Sequence, residues 1–297
     1  MDFRSQARAL LIQSAGLFRA DALGFYIQSL KRRPHGLVVA MHETPLSFEG
    51  QFRLQLEWAS QHFAITDLKG FAQLWEPNRE ADRVSAKPPL LFTFDDGRES
   101  NYAVAAPLLE VFGGRGVFFV VPDFAECAGS DRAFSFYHTK IHPDSRPGDE
   151  KWDDWKPMNP VQIADLAARG HAIGNHSLTH ERLIGLPPEK LEREIGDSAR
   201  KLISWTKKPV DAFAWTFGWD AIDVNAWEAI RRYHRFCFSP CAGMIDSRCD
   251  QPSLLWRREI EARYSAVESR FSYSGLLDLW WGNRRRRLRK SLRVSPC

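Results

Sequence analysis

Short apolar runs that alternate with amphipathic helical stretches constrain the fold of this chain more than any other feature. Leu37–Met41, Leu90–Phe94, Val117–Val121 and Ala212–Trp215 are such runs, and His171-Ala172-Ile173 is a shorter one. Continuously apolar runs suit strands that are covered on both faces. Stretches with helical periodicity lie between them, at 54–63, 102–112, 161–169, 188–205 and 224–233. Gly113-Gly114 and Gly170 stop two of these, and Pro187-Pro188 opens another. The pattern predicts an α/β fold with a mainly parallel sheet, open or closed into a barrel. Residues 123–157 are polar, less regular and contain Pro and Asp, which predicts a long loop able to cover a site.

Several strands end in polar residues: His42, Asp95-Asp96 and His176. The C-terminal edge of a parallel sheet is where sites are built. Thr93-Phe94-Asp95-Asp96-Gly97 places adjacent carboxylates at a strand end, and His176-Ser177-Leu178-Thr179-His180 places two imidazoles four residues apart. Taken singly, each is weak. Asp-Gly is a common turn former, and two His at this spacing also fit a solvated helix face. Taken together, two His and one Asp supply the three-ligand set that leaves a catalytic divalent metal open. The second Asp is then available as a base. The combination points to metal-assisted hydrolysis of a carbonyl compound.

These residues resemble the first two motifs of the polysaccharide deacetylases, the NodB-like carbohydrate esterases. The resemblance extends through 158–183, and Phe213-Ala214-Trp215-Thr216-Phe217-Gly218 resembles a variant third motif whose usual form is Phe-Ala-Tyr-Pro-Tyr-Gly. It covers roughly residues 36–275. It implies a distorted (β/α)7 barrel with a divalent metal, zinc by preference, on Asp96, His176 and His180. It implies Asp95 as general base and the Phe217 backbone N–H as an oxyanion donor. Two departures stand out. The Arg that orients the base in many members is replaced by Ala214, with Arg257 or Arg258 as substitutes. No Leu-x-His motif lies near the C-terminus, but Met41-His42-Glu43 resembles the start of a circularly permuted branch, which makes His42 the candidate acid. His171 is expected to face the core or to cap a backbone group. Trp215 and Trp219 could form a sugar-stacking wall or pack in the core.

The chain's 297 residues, 44% hydrophobic and 26% charged, fit a soluble globular protein with one large domain and appendages. No apolar run reaches the length of a membrane span. The N-terminus lacks a signal-peptide pattern: Phe3, Leu10, Leu11, Leu17, Phe18 and Phe25 instead fit one helical face, docked on the domain or lying at a membrane surface. The five Cys (127, 237, 241, 249 and 297) are irregularly spaced and are expected as free thiols. Residues 284–293 carry seven basic groups and no acidic one, so the formal charge of +4 becomes −3 without them. A solvated tail or a contact with anionic lipid would fit this segment, with Trp280-Trp281 as interfacial anchors. No other feature supports a nucleic-acid partner.

The expected organisation is an N-terminal helical segment (1–35), a catalytic domain (36–275) and a basic tail (276–297). The expected activity is removal of an N-acetyl group from an amino sugar of a cell-surface polysaccharide, a lipid-linked intermediate or a precursor. A same-fold hydrolase of another C–N bond and a non-catalytic glycan-binding module are the alternatives. The expected location is cytoplasmic, with peripheral attachment to the inner membrane surface through the tail.

Overall fold

The computed structural model describes residues 35–76, 87–145, 154–276 and 278–294. The helix expected over 1–35 falls, apart from His35, outside the described residues. The described residues form ten strands: β1 (His35–Met41), β2 (Ala64–Ile65), β3 (Pro89–Phe94), β4 (Val117–Val120), β5 (Ala172–Asn175), β6 (Ala212–Ala214), β7 (Phe236–Ser239), β8 (Ile245–Asp246), β9 (Leu255–Trp256) and β10 (Arg258–Glu259). Eight run in the order β10-β1-β3-β4-β5-β6-β7-β9, and every neighbouring pair is parallel. β2 pairs parallel with the start of β3, and β8 pairs antiparallel with β1.

The two ends of this order, β9 and β10, are separated in the chain by one residue, Arg257. Both edges of the sheet therefore belong to one short segment, and the sheet closes on itself. With β9 and β10 sharing one stave, the barrel has seven staves, the distorted (β/α)7 architecture expected from the sequence.

Alternate residues of the strands face the outer helices and the barrel interior. On the outer side Phe92 and Phe94 pack edge-on against Phe52 of the helix Glu49–His62. On the inner side Val38, Leu91, Phe119 and Phe238 share one core. Gly174 allows β5 to approach Phe119, because a Cβ there would lie 2.3 Å from the ring.

The helices Pro160–Ala168 and Val224–Tyr233 match the sequence pattern to within a residue or so. The stretch 188–206 is one helical run with a π-turn at Glu192–Asp197. The helix Ala266–Tyr273 was not anticipated, although Ser265 and Glu268 form a capping box that marks its start.

Three expectations are corrected. The segment 123–157 is not a plain loop, since it contains the short helices Pro122–Ala125 and Arg132–Phe136 and a π-turn at Tyr137–Ile141. Cys127, Cys237 and Cys241 are free, but Cys249 is disulfide-bonded. The basic C-terminal stretch is not a solvated tail but the helix Asp278–Ser291, docked on the barrel. Leu288 and Leu292 are buried, and Arg258 grips Asp278 through two hydrogen bonds. Arg285 donates to the Ala242 carbonyl and Arg289 pairs with Asp250. Two of the segment's seven cations, Arg285 and Arg289, are thus structural: the pattern of inward cations was invisible without the barrel surface that receives them.

Candidate active site

The parallel register brings the strand ends to one level. Met41 pairs with Phe94, and the Asp95 N–H donates to the Met41 carbonyl at 2.9 Å. Val120 pairs with Asn175, and the His176 N–H donates to the Val120 carbonyl. His42, Asp95 and His176 thereby emerge at the same C-terminal edge. They line one cavity of about 650 Å³ together with Asp96, His180, Phe217 and Arg257.

In a continuing strand Asp95 and Asp96 would point to opposite faces. The backbone turns left-handed at Asp96 and Gly97, with φ of 70° and 73°, and both carboxylates reach the cavity. Ser177, His180 and Phe217 also have φ near 60°. Such conformations in non-Gly residues are unfavourable and persist only where surroundings enforce them. Here Asp96, His180 and Phe217 are all candidate site residues. The Thr216 hydroxyl donates to the Glu181 carbonyl and ties the two loops together. Asn175, just before His176, donates to the Ile195 carbonyl and His234 and accepts from the Ser198 hydroxyl.

Asp96, His176 and His180 are buried, and their ligand atoms lie within 4.8 Å of one another. The Nε2 atoms of His176 and His180 stand 3.5 and 3.7 Å from Asp96 Oδ1. Each imidazole donates its Nδ1–H to a backbone carbonyl, His176 to Ala214 and His180 to Lys140. This fixes the tautomer that leaves both Nε2 lone pairs directed at Asp96 Oδ1. Burial pushes the His180 imidazole down to about 4, so it stays neutral and able to ligate. The other oxygen of Asp96 accepts from Arg98 at 2.7 and 3.2 Å. Burial opposes ionisation of Asp96, but Arg98 and the two imidazoles outweigh it and hold the carboxyl well below its usual range. A preformed set of two imidazoles and one carboxylate fits a divalent metal.

Asp95 does not join that cluster. Arg257 donates to both of its oxygens, at 2.6 and 2.9 Å, and also to the Thr93 hydroxyl at 3.3 Å. Burial raises the Asp95 pKa, but Arg257 and His176 outweigh it, and the net shift is downward. Of the two arginines considered from the sequence, Arg257 faces Asp95, whereas Arg258 is committed to Asp278 and the Tyr273 carbonyl.

His42 donates its Nδ1–H to Glu261 at 2.7 Å. Burial by itself would lower its pKa, but Glu261, with smaller contributions from Asp96 and Asp95, raises it to about 10. The imidazole is therefore poised as a protonated group at the cavity. Arg98, Arg257 and Glu261 act on the three chemical groups, yet no local motif marks Arg98 or Glu261. Their role depends on partners two to 219 residues away.

The remaining expectations divide. His171 is structural: it accepts from the Gly116 N–H and its Nε2 meets Glu110 at 2.9 Å. Trp215 is fully buried and its indole N–H points to Cys237 Sγ, whereas Trp219 is partly exposed; both contribute to the cavity wall. Tyr137 and Trp155, from the segment expected to cover the site, form another wall, with their rings 5.4 and 5.9 Å from the Arg98 guanidinium. Trp281, from the C-terminal helix, also lines the cavity.

Comparison with known proteins agrees with this geometry. YxkH of Bacillus subtilis (strain 168) is 26% identical over 119 residues, 40% of this chain and 33% of its own length. The chain thus matches only about a third of that relative. Among solved structures, the Streptococcus pyogenes deacetylase PplD, in complex with acetate, superimposes with a TM-score of 0.59 at 16% identity, over 78% of this chain and 95% of PplD. IcaB from Ammonifex degensii gives 0.56 at 17% identity, over 82% and 97% of the two chains. The BpsB deacetylase domain from Bordetella bronchiseptica gives 0.55 at 18% identity, over 77% and 96%. The polysaccharide deacetylase family profile matches residues 82–234, more than half of the chain, which belongs to that family.

Proposed function

We propose that this protein is a metal-dependent hydrolase that removes the N-acetyl group from an amino sugar. The observation that carries the reading is the convergence in one cavity of a buried carboxylate held by Arg257, a two-His, one-Asp donor set and a His–Glu pair. A glycan-binding module would need none of these three.

Asp96, His176 and His180 would hold the metal, with zinc the best match to two imidazoles and one carboxylate. When bound, the metal supplies Lewis acidity toward the acetamide carbonyl. Asp95, ionised and fixed by Arg257, takes a proton from the attacking water as its oxygen bonds to the carbonyl carbon. The Phe217 backbone N–H is the candidate donor to the developing oxyanion. His42, kept protonated by Glu261, gives a proton to the departing nitrogen as the C–N bond breaks. The products are acetate and a free amine. The aromatic walls, Tyr137 and Trp155 on one element and Trp219 and Trp281 on others, suit the apolar faces of sugar rings.

The test is acetate release from N-acetylated sugars in polymeric, nucleotide-linked and lipid-linked form, using protein stripped of metal and reloaded with zinc. Release that disappears on chelation and returns on reloading supports the reading. Release of formate from an N-formyl sugar, with no acetate from any N-acetyl sugar, would move the activity to another C–N bond.

A further inference from the structure

The helix Asp278–Ser291 divides its charges between two faces. Successive helical residues turn by about 100°. Asp278, Trp281, Arg285, Leu288, Arg289 and Leu292 therefore fall on one side, the side that meets the barrel. Leu288 and Leu292 are buried there, and Arg285 and Arg289 are spent on the Ala242 carbonyl and Asp250. The opposite side presents Arg284, Arg286, Arg287 and Lys290, and Arg293 follows just beyond; all five are exposed. Trp280 lies on this outer side and is 72% exposed. The helix's ion pairs, Arg258–Asp278 and Arg289–Asp250, sit on its inner side, and among the described residues no carboxylate pairs with the five outer cations.

We infer that this outer face docks the protein on an anionic lipid surface. Charge complementarity selects the partner: four unneutralised cations on the outer side of the helix and a fifth just beyond its end match a layer of anionic headgroups. The exposed indole beside them suits the polar–apolar boundary of a bilayer more than it suits bulk water. No helix among the described residues is long and apolar enough to cross a membrane, so the attachment is peripheral. The same helix contributes Trp281 to the cavity wall, with the Arg284 guanidinium 4.6 Å from its ring. The same helix thus carries both the outer cationic face and one residue of the cavity wall. The docking goes beyond the hydrolase reading and stands without it, because vesicle binding requires no turnover.

The experiment uses the full chain and vesicles of equal parts phosphatidylglycerol and phosphatidylcholine, with pure phosphatidylcholine as the neutral reference. Co-sedimentation should be strong with the anionic vesicles at low salt, weak at high salt and absent with the neutral ones. The combined variant R286Q/R287Q/K290Q/R293Q alters only exposed side chains and should keep the parent's melting temperature. Each neutralised cation should weaken partitioning by about five-fold, so the quadruple variant should leave the vesicle pellet. Three results would overturn the inference: full-length protein that stays in solution at low salt, equal binding to neutral vesicles, or a folded quadruple variant that binds as well as the parent. Binding to heparin or single-stranded nucleic acid more tightly than to anionic vesicles, through the same four residues, would reassign the face to a polyanionic polymer.

Discussion

Arg257 and Asp95 stand 162 residues apart in the chain and meet through two hydrogen bonds of 2.6 and 2.9 Å. Arg257 is also the single residue between β9 and β10, where the barrel closes. The residue that seals the sheet is thus the one that orients the candidate base. Arg257→Lys keeps a cation but loses the two-pronged fit. Its rate should fall on the order of 10²-fold, less than loss of the base itself. Metal content should not change, and the acidic limb of the pH–rate profile should move upward, because burial then acts on Asp95 with less opposition. A rate and acidic limb equal to the parent's would make Arg257 structural only.

Asp95→Asn should retain metal and fold while losing roughly 10²–10⁴-fold in rate, the usual contribution of a general base. Near-parental turnover with metal bound would place the base elsewhere.

His176→Ala should lose metal and activity together, since the remaining pair of ligands holds a divalent ion poorly. Metal analysis of the purified variant is the readout. A full equivalent of metal would remove His176 from the ligand set.

The pH profile of kcat has a worked sign. A base must be deprotonated, and Asp95 is held below its ordinary value, so the acidic limb due to it should lie below about pH 4. An acid must be protonated, and His42 is raised to about 10, so the rate should hold through neutral pH and fall only as pH approaches that value. Glu261→Gln should bring the alkaline limb down toward the ordinary histidine range by removing the main stabilising charge. If that limb does not move in Glu261→Gln, the proton donor is another group.

Docking of the C-terminal helix makes a prediction about stability. Leu288 is 1% exposed, so Leu288→Ala should destabilise the protein by about 2–5 kcal/mol through lost burial and an unfilled cavity. Thermal unfolding reads this directly. A melting temperature equal to the parent's would mean that the helix contributes nothing to the fold.

The sequence alone determined the layer order and the chemistry-bearing strand ends. Apolar runs such as Leu90–Phe94 can be satisfied only as covered strands, and their period and spacing fix which residues stand at the sheet's C-terminal edge. Asp95, Asp96 and His176 were legible for that reason, since they follow local runs, and His180 through its four-residue spacing from His176. The tertiary structure decided everything that depends on a partner distant in the chain. Arg257 and Arg258 are adjacent and identical in type, and local sequence cannot rank them. Barrel closure does so, by turning one toward Asp95 and the other toward Asp278. Glu261 carries no motif, yet its 2.7 Å contact is what keeps His42 charged. The basic C-terminal segment looked uniform because composition counts cations without regard to direction. A helix facing a buried surface sorts the same residues into inward structural pairs and an outward charged face.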